Sequence, residues 1–301
     1  MGAILRLGTR GSPLALAQAA LVAEALAASG TRCEIVVVVT TGDRVQDRPL
    51  AEIGGKALWT KELDAALNDH RIDCAVHSMK DVETHLAEGI ALVAVLKRGD
   101  VRDRLIGRDS IAALPQGGRV GTSSPRRAAQ LLAARPDLRI SMLRGNVATR
   151  LGRITAGDFD ATLLAAAGLD RLGIDAGVAL GIDEWLPAPA QGAVGITVRD
   201  GDVVTAALVA VADDHDSHAA VLLEREFLAT LQADCHSPVA ALARVGGGEV
   251  IFDGEIIAAD GGERQRGRVE ASLGGAASAV ADLALRLLAQ ASPALRAQFG
   301  G

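Results

Sequence analysis

Twice along this chain an apolar strand runs into a short Gly/Ser turn closed by proline: Thr9-Arg10-Gly11-Ser12-Pro13 and Gly121-Thr122-Ser123-Ser124-Pro125. Serine at an N-cap followed by proline at the first helical position starts a helix, so each turn predicts strand, turn and helix in that order. A chain that alternates in this way has to pack its helices on sheets, which confines it to an α/β architecture. In the first unit the patterning predicts strands over 3–7, 34–40, 73–77 and 92–96, with helices from Pro13 and near 61–68. The unbroken IVVVV run at 35–39 suits a strand of a parallel sheet buried on both faces. The charged stretch KRGDVRDR then reads as a crossover. In the second unit strands are predicted from Arg119, over 139–143 and over 161–165, and the run AVGITV after Gln191-Gly192 is a further strand. Beyond about residue 215 the order changes to helix, loop, strands around 240–257 and 266–273, and a final helix, an α+β tail.

The 301 residues allow two or three domains with cores of their own, and with aromatics at 2% and no tyrosine those cores must be aliphatic. A net charge of −6 argues against a general nucleic-acid or anionic-membrane binder. Three cysteines without a CxxC pair exclude a zinc knuckle and a disulfide framework, and point to a reducing, cytoplasmic setting. No apolar run reaches the ~18–20 residues that span a bilayer. The segment LALAQAALVAEALAAS has a superficial signal-peptide look, but Gln18 and Glu24 interrupt it and Ser12-Pro13 starts it as a helix.

The chemistry-bearing residues gather at the predicted strand ends. Arg10 and Ser12 occupy the first turn; Thr122, Ser123 and Ser124 occupy the second, with Arg126 and Arg127 in the helical turn that follows, and Arg144 and Arg150 come after another strand. Helix N-termini offer unpaired N–H groups, and the arginine fork matches a carboxylate at two points, so these turns predict a site for a small polyanion. The alternative is a set of solvated helix-surface arginines. Lys80-Asp81 follows a short buried strand and supplies a carboxylate for acid, base or cation-stabilising work, or merely a surface turn. Lys56, after Gly54-Gly55, is an anion contact or a solvated lysine. Cys235, beside His236 and ahead of Pro238, is a thiolate nucleophile or a small packed hydrophobe. The other histidines have no ligand spacing, and no metal site is expected.

Together, TRGSPLALAQA, GGKALWTKEL, AVHSMKDV, VGTSSPRRAAQL, RPDL, LRGNVATRL, AAAGLDRLG, PAQGAVGI and DCHSP resemble, in order and over nearly the whole chain, the porphobilinogen deaminase family. The resemblance implies an α/β fold of two type II periplasmic-binding-protein-like domains joined by a double crossover, with a small C-terminal α+β domain. The implied boundaries are 1–97 plus 192–212, 98–191 and 213–301. It implies a hydroxymethylbilane synthase activity: head-to-tail joining of four porphobilinogen molecules, with loss of ammonia, on a dipyrromethane cofactor bonded to Cys235. Asp81 matches the catalytic aspartate. Asp81, Lys80, Thr122, Ser123, Ser124, Arg126, Arg127, Arg144 and Gly145 would hold the cofactor, and Arg10, Ser12, Lys56, Arg144, Asn146, Arg150 and Gln191 the substrate. No metal, nucleic acid or membrane partner is implied, and a monomer is expected. Asp234 stands where the family generally has glycine, Pro125 where leucine is common, Glu83 in place of proline, Glu52 in place of lysine and Trp59 in place of phenylalanine. None removes a group the chemistry needs.

Overall fold

The computed structural model describes residues 4–39, 60–234 and 236–300. It divides into two compact units, Met1–Arg98 with Ala193–His218, and Gly99–Gly192 with Ala219–Gly301.

The first unit is built on a five-stranded sheet. In chain order its strands are β1 (Leu5–Thr9), β2 (Cys33–Val37), β3 (Cys74–Ser78), β4 (Ile90–Val95) and β10 (Val194–Arg199), arranged β2-β1-β3-β10-β4. Helix α1 (Pro13–Ala27) starts where Ser12-Pro13 predicts, and the Ser12 hydroxyl accepts from the Ala15 amide at 3.3 Å. It turns Ala15, Gln18, Ala19, Val22 and Leu26 inward, where Leu7, Val76, Ile196 and Val198 form the sheet side of the core. Helix α2 (Lys61–Asn68) buries Leu63, Ala66 and Leu67.

Two expectations are corrected here. The sheet is mixed: β1 pairs in parallel with β2 and β3, but β10 runs antiparallel to β3 and β4 because the chain re-enters the unit from the far end. The IVVVV run is not buried on both faces. β2 is an edge strand, with Ile35 39% and Val37 50% exposed, and only the alternate residue Val38, with Val36 against it, packs on Leu63, Leu67 and Ile72.

The second unit holds another five-stranded sheet, ordered β7-β6-β8-β5-β9, and a three-stranded antiparallel sheet. The first comprises β5 (Asp103–Ile106), β6 (Arg119–Gly121), β7 (Arg139–Ser141), β8 (Ala161–Ala165) and β9 (Val178–Ala179). β5 begins inside the charged stretch read as a crossover and pairs antiparallel with β8. Helices α3 (Pro125–Ala134), α4 (Val147–Thr155) and α5 (Ala166–Arg171) follow β6, β7 and β8. α6 (Val203–Val209) belongs to the first unit.

The C-terminal sheet is β11 (Val239–Gly246), β12 (Glu249–Ile257) and β13 (Arg264–Ser272). β11 and β12 are joined through Gly247 and Gly248 at φ 60° and 81°, the backbone that a two-residue hairpin of this handedness needs at both positions. Helices α7 (His215–Thr230) and α8 (Ala276–Gln290) cover this sheet, followed by the short α9 (Pro293–Arg296). Phe227 of α7 meets Phe252 at 5.2 Å between ring centroids, and Gly254 leaves room for the Phe227 ring, since a Cβ there would lie 2.6 Å from its Cζ. Leu186 packs on Ala240 and Leu242, which ties the antiparallel sheet to the 99–192 segment within this unit.

Candidate active site

In the first unit, the parallel pairing of Leu7 with Cys74 sends the ends of β1 and β3 to the same edge of the sheet. β1 ends in the Arg10–Ser12 turn, and β3 ends at Ser78, from which a single 3-10 turn, Met79–Asp81, departs. Arg10, Ser12, Gln18, Thr60, His77 and Asp81 therefore line one concavity, although some 70 residues separate the two motifs. Met79 is fully buried and anchors the turn, while Lys80 and Asp81 remain half-exposed. Beneath it, His77 Nε2 pairs with Thr197 Oγ1 at 2.9 Å across β3 and β10. One turn along α2 from Thr60, burial pushes the Asp64 carboxyl up to about 6, opposed by a hydrogen bond from Thr60 and reinforced by Glu83.

In the second unit, β6 and β7 are parallel neighbours, so the turns after them also leave one edge together. Thr122 Oγ1 accepts from the Ser124 amide at 3.1 Å, and Ser124 Oγ accepts from the Arg127 amide at 3.4 Å, fixing the start of α3. After β7 come Arg144, Gly145 and Asn146; Asn146 Oδ1 accepts from the Thr149 amide at 2.9 Å and caps α4. Gly145 sits at φ 107°, and a Cβ on it would lie 2.8 Å from Thr149 Cγ2. Its carbonyl accepts from Arg150 Nε at 2.9 Å, which orients that guanidinium. Gly145→Ala should therefore destabilise the protein by about 1–3 kcal/mol, read from the urea midpoint at unchanged m-value; an unchanged midpoint would mean the turn relaxes freely.

Arg126 and Arg127 take a position the sequence reading did not foresee. Both are buried, at 3% and 5% exposure, and both turn inward onto Asp103, which is fully buried. Arg126 donates to Asp103 Oδ2 at 2.8 Å, and Arg127 to Oδ1 at 2.6 Å. Trp185 Nε1 and Gln191 Nε2 also donate to the same carboxylate, both at 2.9 Å. Burial pushes the Asp103 carboxyl up, but the two guanidinium groups and the hydrogen bonds prevail and hold it far below the usual carboxylate range. Arg126 also donates to Gln130 Oε1 and the Leu186 carbonyl, and Gln130 in turn donates to Glu255 of β12 at 3.2 Å. Gln191 is wholly buried and donates to the Val101 carbonyl as well. Among the described residues, the buried Nε–H groups of Arg126 and Arg127 make no hydrogen bond, and neither does Glu255 Oε1.

The structure thus brings Arg10, Ser12 and Asp81 together, and separately gathers Thr122, Ser123, Ser124, Arg144, Gly145, Asn146 and Arg150 at one edge. Lys56 and Cys235 lie outside the described residues. Sequence reasoning missed Asp103, Gln130, Trp185 and Gln18. A signal existed for Gln130: it falls four residues after Arg126 on the buried face of α3, which carries polar residues among Ala129 and Leu131. Cys33 and Cys74 behave as core residues, their thiols pushed up by burial. Among the described residues there is no cluster of three metal-ligating side chains, and no helix long and apolar enough to cross a membrane.

A family model described as porphobilinogen deaminase, dipyromethane cofactor binding domain, matches residues 5–207, and one for the porphobilinogen deaminase C-terminal domain matches residues 218–289. The chain belongs to the porphobilinogen deaminase family. Relatives named porphobilinogen deaminase include one from Sphingopyxis alaskensis, 54% identical over 306 residues, covering 98% of this chain and 96% of that one. Another, from Paracoccus denitrificans, is 50% identical over 269 residues, covering 86% and 85%. The chain is accordingly an enzyme of this transferase family. Distant likenesses among solved structures include a periplasmic substrate-binding protein of an ABC transporter from Coxiella burnetii, with TM-score 0.43 and 17% identity, covering 74% of this chain and 95% of that one. A methionine-bound nutrient binding protein from Burkholderia cenocepacia gives TM-score 0.42 and 15% identity, covering 76% and 96%.

Proposed function

We propose that this enzyme joins four porphobilinogen molecules into hydroxymethylbilane on a dipyrromethane bonded through a thioether to Cys235, with Asp81 as its catalytic residue. The observation that carries this reading is the convergence of Arg10, Ser12 and Asp81 on one concavity in a chain matched by a dipyromethane-binding family model.

The residues present fit the cofactor. Each of its pyrroles bears two carboxylates, and the edge formed by Thr122, Ser123, Ser124, Arg144, Gly145 and Arg150 offers hydroxyls, backbone amides and guanidinium groups for them. Arg126 and Arg127, held on Asp103 behind this edge, are assigned to the cofactor by the family resemblance and add positive charge beneath it. Lys80 adds charge beside Asp81. When bound, dipyrromethane would supply the nucleophilic α-carbon for the first addition, with the free α-carbon of the terminal pyrrole taking that place for each later one.

Arg10 and Ser12 bind the acetate and propionate of incoming porphobilinogen, with Lys56, Arg144, Asn146 and Arg150 assigned to the same task; Gln191, expected among them from the resemblance, is instead buried on Asp103 and the Val101 carbonyl. Loss of ammonia from the substrate leaves a cation, and the Asp81 carboxylate offsets that charge and accepts pyrrole N–H groups. The same carboxylate oxygen then takes up the proton that the newly substituted carbon releases. Residues 1–97 with 192–212, 98–191 and 213–301 form the three domains of this reading, and the enzyme acts as a cytoplasmic monomer.

Intact-mass measurement of the purified protein tests the reading. The expected result is a mass increased by two linked porphobilinogen-derived units, mapped by peptide analysis to Cys235. A fully active chain of unmodified mass would overturn it.

A further inference from the structure

Gln18 is out of place on chemical grounds. It is one of five inward-facing residues of α1, the others being Ala15, Ala19, Val22 and Leu26, and it is 3% exposed. A buried carboxamide is costly unless its donors and acceptor are used, and an apolar side chain would serve the helix–sheet packing equally well. Gln18 is used: its Nε2 lies 2.8 Å and its Oε1 3.0 Å from the Ser78 hydroxyl. Ser78 is the last residue of β3 and the residue from which the Met79–Asp81 turn departs, yet its hydroxyl makes no capping bond to that turn. Its side chain is held from the α1 side, while the amide of Met79 is held by the Ala193 carbonyl from the β10 side. The point at which the chain leaves the sheet toward Lys80 and Asp81 is thereby clamped from two directions, and Gln18, Ser78 and Asp81 border the same concavity.

The geometry points to Gln18 as a positioning residue for the reaction: through Ser78 it sets the direction of the turn that carries Asp81. The inference rests on the assignment of Asp81 as the catalytic carboxylate. Replacing Gln18 by an apolar side chain costs the fold little, because no buried carboxamide is left unpaired, but displacement of a reacting group by about 1 Å lowers turnover by up to about 10²-fold.

The test uses the full chain carrying its cofactor, confirmed by mass. Gln18→Met keeps the length of the side chain and removes both hydrogen bonds; Ser78→Ala removes the other partner. Each should lower kcat by about 30-fold with KM changed less than about threefold, and the double variant should be no slower than either single one. In an Asp81→Asn background, measured by single-turnover addition of porphobilinogen, Gln18→Met should cost less than about threefold further, since there is no carboxylate left to position. A purely structural role predicts the same loss in both backgrounds, and that result overturns the inference. Wild-type kcat for Gln18→Met overturns it as well; should that variant fail to fold, wild-type kcat for Ser78→Ala does so in its place. Full turnover by Asp81→Asn would instead remove the assignment on which the inference rests, whereas an inactive Asp81→Asn beside a fully active Gln18→Met removes the positioning role alone.

Discussion

Asp81→Asn should lower turnover by about 10²- to 10⁴-fold, the range typical of a positioned acid–base group, while the protein keeps its fold and the covalent adduct proposed above. Asparagine has the shape of aspartate and the side chain is half-exposed at the end of a short turn, so packing changes little. Its amide oxygen can still accept a pyrrole N–H, but it carries no negative charge to oppose a cation and takes up no proton at neutral pH. The lost interaction is one that develops with charge in the transition state, so kcat and kcat/KM should fall together, with KM nearly unchanged. Turnover of purified variant whose adduct mass is verified checks this. Wild-type turnover would exclude Asp81 from the chemistry, and a rise in KM alone would make it a binding residue only.

The features that were legible in the sequence are those encoded locally. Ser12-Pro13 and Ser124-Pro125 start helices at the residues expected, because an N-cap and a proline act within one turn. The placement of Asp81 was another matter. Its own segment offers only a carboxylate after a buried strand, and its meeting with Arg10 depends on the register of β1 against β3, which no local pattern encodes. The same cause defeated the reading of the IVVVV run. Apolar side chains at 35–39 state that a strand forms there, but whether both faces are covered depends on which strands flank it, and β2 falls at an edge. Asp103 was invisible for the strongest reason. Among the charges of KRGDVRDR it looks solvated, while its four partners lie 23 to 88 residues away at Arg126, Arg127, Trp185 and Gln191. The family resemblance supplied roles for Arg126, Arg127 and Gln191 but not the carboxylate they share.

That carboxylate carries the largest stability effect expected in this protein. Asp103→Asn leaves two guanidinium groups buried beside a neutral amide whose N–H₂ faces one of them. Removing one partner of a buried ionic cluster costs about 3–5 kcal/mol, because the charges left behind remain desolvated without compensation. The loss should appear as a lowered urea midpoint at unchanged m-value. The cluster's own contribution to stability is a separate quantity, isolated by Asp103→Leu combined with Arg126→Met and Arg127→Met. That triple variant removes charge and counter-charge together and should unfold at a higher urea concentration than Asp103→Asn, with the two arginine changes restoring rather than adding to the loss. The pH dependence has a definite sign. The folded state holds Asp103 below the ordinary carboxylate value, so its stabilisation is fully present above about pH 4, the unfolded value, and is lost as the pH falls below it. Wild type should therefore lose stability in acid more steeply than the triple variant, which lacks this titration. Equal acid sensitivity of the two, or a triple variant less stable than Asp103→Asn, would mean that the ionic cluster stabilises the fold by something other than compensation of buried charge.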